Sequence, residues 1–276
     1  MRSLFAKFAL DLLKKDEHSI VLLGDISVGL FLNDSKKSLV DRVLNMGIAE
    51  QSMVSFAAGL SRENMTVIVH TISPFMIERA YEQIKLDISY NQNKVILVSA
   101  NGPYEYSKLG PTHHCSSDIP LISLLPNLLS ALPGRLTDVD PVLNWALRQT
   151  QSVYVRLTAH TSSDQNLLAG QILQKSFHQI SKKLSIFVGE ALIQYDELNR
   201  HRDSDILYIW SANQINIEEL NYYDEIEVWE PYSMGIIATM ISCSTPKNLT
   251  IYSHVYPQSI ESGIYEKPFY ISKVVK

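Results

Sequence analysis

Cysteine is nearly missing: the 276 residues hold two, Cys115 and Cys243. Two thiols build no disulfide framework, and these lack metal-ligand spacing, which suits a reducing, cytoplasmic setting. Charge is sparse as well, 19% of residues with a net −5, and no long run of Lys or Arg occurs. Neither a nucleic-acid partner nor an acidic membrane surface is therefore expected. Long apolar runs are also absent, since no window approaches the roughly 18 uninterrupted residues a membrane span needs. The N-terminal MRSLFAKFALDLLKKDEHS starts apolar, but Lys7 and Asp11 interrupt it and no small-residue cleavage site follows. It reads as an amphipathic helix rather than an export signal. Internal repeats and low-complexity tracts are missing too.

What is present is an alternation. The length favours two domains, and strand-length runs alternate with helix-period segments: SIVLLGD (19–25), a helix from Ile48, TVIVHTI (66–72), a helix from Pro74, KVILVSA (94–100), a helix near 117–125, LLSAL (128–132), a helix from Pro141, and SVYVRLT (152–158). Unbroken Val/Ile/Leu strands between helices predict a parallel sheet covered on both faces. Ser73-Pro74 and Asp140-Pro141 each set a capping side chain before a proline at the first helical position. Beyond Pro74, Met76, Ala80, Ile84 and Ile88 share one helical face, with Ile77 and Tyr81 beside them. Residues 161–183 are polar, carry no strand signal and read as a linker. A second alternation follows through LSIFVGE (184–190), DILYIWSA (205–212), EIEVWEP (225–231), a helix through YSMGIIATMIS, and LTIYSHV (249–255). The expected fold is α/β, with two mainly parallel sheets flanked by helices in domains 1–160 and 184–276.

In open α/β sheets, sites lie at the carboxyl ends of strands. Three loops there hold unusual residue sets: NMGIAEQ (45–51), TISPFMIERAYEQ (71–83) and NGPYEYSKLGPTHHCSSD (101–118). Taken singly, each has a plain reading. Glu50 in a first helical turn complements the helix dipole. His113 and His114, adjacent on a loop, point apart and make no joint metal site, and a loop histidine is more often solvated than catalytic. RAYEQIK would be a solvated helix face with an Arg79–Glu82 pair.

In combination, NMGIAEQ, SPFMIERAYEQI and LGPTHH, in that order and at these separations, closely resemble the pyrimidine-binding domain of the transketolase and 1-deoxyxylulose-5-phosphate synthase family. The resemblance runs from about Ile20 to Leu157 and thins beyond to a fold-level likeness with that family's C-terminal domain. It implies thiamine diphosphate as cofactor. The glutamate at the position of Glu50 would hydrogen-bond N1′ of the aminopyrimidine and favour the imino tautomer, which lets the 4′ nitrogen remove the thiazolium C2 proton. Gly47 and Ala49 would let the ring approach the backbone. An aromatic residue stacks on the pyrimidine in the family. Phe75 is the obvious candidate, but alignment back from RAYEQ puts Met76 there, and both stay open. Arg79 matches an arginine near the pyrimidine. His113 matches the loop histidine that contacts the sugar and moves protons, with His114 as second candidate. The candidate cofactor-binding set is Asp25, Gly47, Ile48, Glu50, Phe75, Met76 and Arg79. The candidate catalytic set is Glu50, His113 and His114.

Departures from the family matter as much. Its Gly-Asp-Gly motif and later asparagine bind Mg2+ and the diphosphate, whereas here Gly24-Asp25 is followed by Ile26. The resemblance therefore implies a split enzyme: a partner, the diphosphate-binding N-terminal transketolase subunit, supplies the Mg2+ ligands in an α2β2 assembly. Transketolases carry an aspartate where Leu109 stands, and Ala159, followed by His160, occupies the place expected for a phosphate-binding arginine, although Arg156 remains. Losing hydroxyl and phosphate partners suggests two-carbon ketol transfer to an acceptor other than a simple aldose phosphate, such as a modified or nucleotide-linked sugar. Two other readings stay open, a β-subunit of a 2-oxoacid dehydrogenase or decarboxylating carboligase, and a non-catalytic regulatory subunit.

Overall fold

The structure is a computed structural model that describes residues 1–32, 39, 41–164, 166–174, 182–198, 204–245, 249–258 and 270–275. The chain forms two compact units, one of Met1–Gly102, Leu121–Ala131 and Leu136–Ala159, the other of Pro103–Pro120, Leu132–Arg135 and His160–Lys276.

The first unit is built on six parallel strands, β1 (Ser19–Leu23), β2 (Val43–Asn45), β3 (Thr66–Ile72), β4 (Val95–Ala100), β5 (Leu128–Ala131) and β6 (Ser152–Arg156), in the order β2-β1-β3-β4-β6-β5. All residues of β1, β4 and β6 are buried, as expected of parallel strands covered on both faces. The chain leaves β1 for β2 on one side and returns to β3 on the other, so the winding reverses between β1 and β3. A crevice outside the strand carboxyl ends at such a reversal is where this architecture binds ligands.

Helix α1 (Arg2–Lys15) buries Phe5, Ala6, Ala9 and Leu13, the amphipathic stripe read from the sequence. Its C-terminal carbonyls are satisfied by Arg42, whose guanidinium donates to Leu13 O and, at 2.8 Å, to Asp16 O. The second marked helix, α3 (Val139–Arg148), follows α2 (Glu50–Arg62). It starts two residues before Pro141, so Asp140 lies inside its first turn instead of capping it. Ser73 departs from expectation in the same way. Its hydroxyl caps nothing; it donates across to Asn101 O at 2.8 Å and Ser99 Oγ at 3.0 Å. The helix beyond it is π-wound over Phe75–Arg79 and Ile84–Tyr90, either side of Tyr81–Gln83. Met76, Ile77, Ala80, Ile84 and Ile88 are all buried, the face predicted from their spacing.

The second unit holds β7 (Ile172–Leu173), β8 (Lys183–Val188), β9 (Asp205–Ile209), β10 (Glu225–Glu230), β11 (Thr250–Val255) and β12 (Ile271–Val275), ordered β12-β11-β10-β8-β9-β7. The four central strands are parallel, and β12 and β7 run antiparallel at the edges. The segment read as a linker thus contributes an edge strand, a two-residue addition too short to leave an apolar pattern. Helix α4 (Ile236–Ser244) starts on the buried carboxylate of Glu230, which accepts from the backbone N–H groups of Ile237 and Ala238 at 2.8 and 3.1 Å.

Candidate functional site

The loop after β1 needs support, because Asp25 and Ser27 both sit at positive φ, 57° and 58°, where side chains are disfavoured. His70 on β3 provides it. Burial pushes its pKa down to about 4, so the ring is neutral. Nδ1 lies 2.8 Å from Val98 O, which can only accept, so Nδ1 carries the proton and Nε2 accepts from Ser27 Oγ at 3.0 Å. Asn45, last residue of β2, completes the corner. Its Nδ2 donates to Asp25 Oδ1 at 3.0 Å, and its Oδ1 accepts from the backbone of Asp25 and of Gly47, both at 3.2 Å. Gly47 has φ +69°, and a Cβ there would meet nothing within 4 Å, so glycine is required by conformation while the space in front stays open. Ile48, next along, is 74% exposed.

Glu50 opens α2 and is 1% exposed. One carboxylate oxygen accepts from Thr71 Oγ1 at 3.4 Å; the other pairs with Arg79 Nη1 at 2.6 Å. Arg79 thus reaches back to α2 from the helix after β3, and its guanidinium carbon lies 3.9 Å from the centre of the Phe75 ring. The π winding of Phe75–Arg79 sets this arrangement within a single wide turn, and such turns recur at functional sites. The two residues left open for stacking are separated here: Met76 is fully buried in the core, whereas Phe75 is half-buried beside Arg79.

Asp25, Gly47, Glu50, Phe75 and Arg79 therefore gather at the carboxyl edge of β1, β2 and β3. Sequence reasoning missed Asn45, Thr71 and His70, although a His-Thr pair interrupting the apolar run TVIVHTI was the available signal. His113 and His114 belong to the second unit. His113 is half-buried, with Nδ1 2.9 Å from Thr112 Oγ1. His114 is buried edge-on to Tyr104, with Nε2 3.3 Å from Ser107 O. Leu109 is 59% exposed, Arg156 is buried and Ala159 exposed. Among the described residues no cluster of three or more His, Cys, Asp or Glu side chains comes together, and no helix is long and apolar enough to cross a membrane.

Residues 1–162 match the family model for the transketolase pyrimidine binding domain. The chain belongs to that family. Among relatives of this transketolase-type chain, an uncharacterized 33.6 kDa protein in the fasciation locus of Rhodococcoides fascians is 29% identical over 84% of this chain and 76% of its own length. One of the subunits of the apulose-4-phosphate transketolase of Actinobacillus succinogenes is 33% identical over 49% of this chain and 45% of its own length. The match thus spans less than half of that relative. Among solved structures, a split-gene transketolase described as an inactive beta4 tetramer superposes with TM-score 0.73 at 21% identity, covering 92% of this chain and 87% of that one. The transketolase of Campylobacter jejuni gives TM-score 0.74 at 15% identity, covering 95% of this chain and 43% of that one. At these identities the likeness speaks for the fold, two mainly parallel sheets flanked by helices.

Proposed function

We propose that this chain is the pyrimidine-binding subunit of a split, thiamine diphosphate-dependent transketolase that moves a two-carbon ketol unit between sugars. One observation carries the reading: a buried carboxylate, Glu50, sits at the winding reversal of a parallel sheet, joined through Arg79 to the half-buried Phe75, with open space before Gly47. That donor set fits an aminopyrimidine ring, which needs a carboxylate at a ring nitrogen and a flat apolar wall. When bound, thiamine diphosphate supplies the nucleophilic carbon and the electron sink for C–C cleavage.

The chain's residues do the rest. Glu50 holds the ring nitrogen in a low-dielectric pocket, Phe75 supplies the stacking wall, and the Asp25–Asn45–Gly47 corner with Ile48 shapes the approach. His113 holds or moves a proton at a sugar hydroxyl, with His114 as the second candidate. Mg2+ and the diphosphate fall to a partner chain in an α2β2 assembly; the need for a partner is supported by the Actinobacillus succinogenes relative, whose name makes it one subunit of a transketolase. The pyrimidine-binding role is assigned to the stretch that matches the family model, residues 1–162, and a supporting role to the sheet that β7 to β12 build. Leu109 and Ala159 leave the acceptor other than a simple aldose phosphate; on the donor side, the ketose apulose 4-phosphate, for which the Actinobacillus succinogenes relative is named, is the first sugar to test.

The test is reconstitution with a diphosphate-binding transketolase chain, followed by calorimetric titration of thiamine diphosphate with Mg2+. Binding by the mixture, with turnover reduced about two orders of magnitude by Glu50→Ala, supports the reading. Turnover indifferent to Glu50→Ala, or a requirement for a 2-oxoacid donor, overturns it.

A further inference from the structure

Arg79 takes up both features that the proposed function assigns to the cofactor ring. Its guanidinium is planar and delocalised, carries N–H donors along its edge, and stacks readily on aromatic faces. Here it lies over Phe75, 3.9 Å from the ring centre, while Nη1 donates into Glu50 at 2.6 Å. A ring that stacks on Phe75 and bonds Glu50 makes the same two demands, a face for its plane and a carboxylate for its edge. On that face of Phe75 and that oxygen of Glu50, the two occupants exclude each other.

We propose that Arg79 is a built-in stand-in for the cofactor ring, covering Phe75 and engaging Glu50 until the ring arrives and then swinging out to admit it. The inference rests on the reading of Glu50 and Phe75 above and adds to it a competition that reading does not require. Its reversibility follows from the exposures. The Arg79 side chain is 37% exposed, so its ion pair is partly screened by solvent and readily exchanged, whereas the Glu50 side chain is 1% exposed. Without either occupant the buried carboxylate keeps the Thr71 hydroxyl at 3.4 Å, a poor replacement for a charge partner. The site therefore stays latched until a group that satisfies Glu50 displaces the guanidinium. A resting place for the displaced side chain is at hand in Glu82, exposed and one helical turn further along.

The consequence is a fall in apparent affinity, because only the unlatched fraction of the protein accepts the ring. Removing the latch raises it. In the reconstituted complex, Arg79→Ala binds thiamine diphosphate with Mg2+ about fivefold more tightly than the wild type, the ratio expected for deleting one partly exposed ion pair. The gain appears in the association rate measured by stopped flow. Arg79→Lys keeps the charge without the planar stack and falls between the two, which guards against a general effect of the alanine variant on folding. Binding by the wild type, weakened by Glu50→Ala but equal or weaker in Arg79→Ala, overturns the latch and leaves the proposed function standing. Cofactor binding by neither wild type nor Arg79→Ala overturns both.

Discussion

Phe75 and Met76 show what a single residue's surroundings add to a motif. The sequence places both within one position of the stacking site, and either is apolar enough to serve. Packing separates them, with Met76 fully buried among core residues and Phe75 half-buried beneath Arg79. Their alanine variants should therefore fail differently. Met76→Ala leaves a cavity and lowers folding stability by about 2–5 kcal/mol, visible as a shifted urea midpoint. Phe75→Ala leaves the midpoint nearly in place and weakens cofactor binding in the reconstituted complex. If both variants lose stability equally and bind alike, Phe75 is a core residue and the stacking assignment fails. Glu50 was legible because its spacing from Gly47 and its neighbours is a motif. Asn45 was not, since a polar residue at a strand end has no motif of its own and acquires a role only when β1, β2 and β3 lie side by side; Thr71 showed only as half of the His-Thr break in TVIVHTI.

At the scale of elements, the alternation of apolar runs revealed nearly every strand of both sheets, and the Met76-to-Ile88 stripe marked the buried face of the helix after β3. Side-chain direction at the helix starts was less legible. Ser73-Pro74 carries the signature of a cap, yet the Ser73 hydroxyl turns to Asn101 O and Ser99 Oγ, and Ser99 Oγ in turn lies 2.8 Å from Tyr154 Oη. A cap is a local arrangement between neighbours in sequence; here a buried acceptor on the adjacent strand offers a better partner. Ser73 therefore ties the entry of the site helix to β4. Ser73→Ala should lower stability by about 1 kcal/mol, read by denaturant unfolding, with a loss of cofactor affinity because the stacking wall Phe75 hangs from the loosened turn. Unchanged stability and binding would mean that the hydroxyl bonds are incidental. The edge strand Ile172–Leu173 marks the other limit of legibility, because two residues pairing with β9 leave no period to read.

For the molecule as a whole, each unit carries a buried titratable group whose pKa is displaced, and the two act in opposite senses. His70 in the first unit has a folded pKa of about 4 against 6.5 for the free side chain, through burial. As pH falls below 6.5 the unfolded chain takes up a proton that the folded one refuses, so the stability His70 contributes is full above 6.5 and is lost as pH falls toward 4. Glu230 in the second unit is raised to about 7 from 4.5, again by burial, although the N–H groups at the start of α4 pull it down. The folded form keeps its proton longer than the unfolded one, so stability is fullest below 4.5 and declines as pH rises toward 7. Each effect is of order 3 kcal/mol at its limit, and between pH 4.5 and 6.5 they oppose. The units should therefore respond to pH with opposite slopes, a difference that a single global melting curve averages away. Trp145 lies in the first unit and Trp210 and Trp229 in the second, so fluorescence unfolding of Trp145→Phe and of the Trp210→Phe/Trp229→Phe double variant resolves them. The first-unit signal should weaken with acid and the second strengthen. His70→Asn should flatten the first dependence and Glu230→Gln the second, whereas parallel slopes in the two signals would show that the units unfold as one and that neither group governs its own sheet.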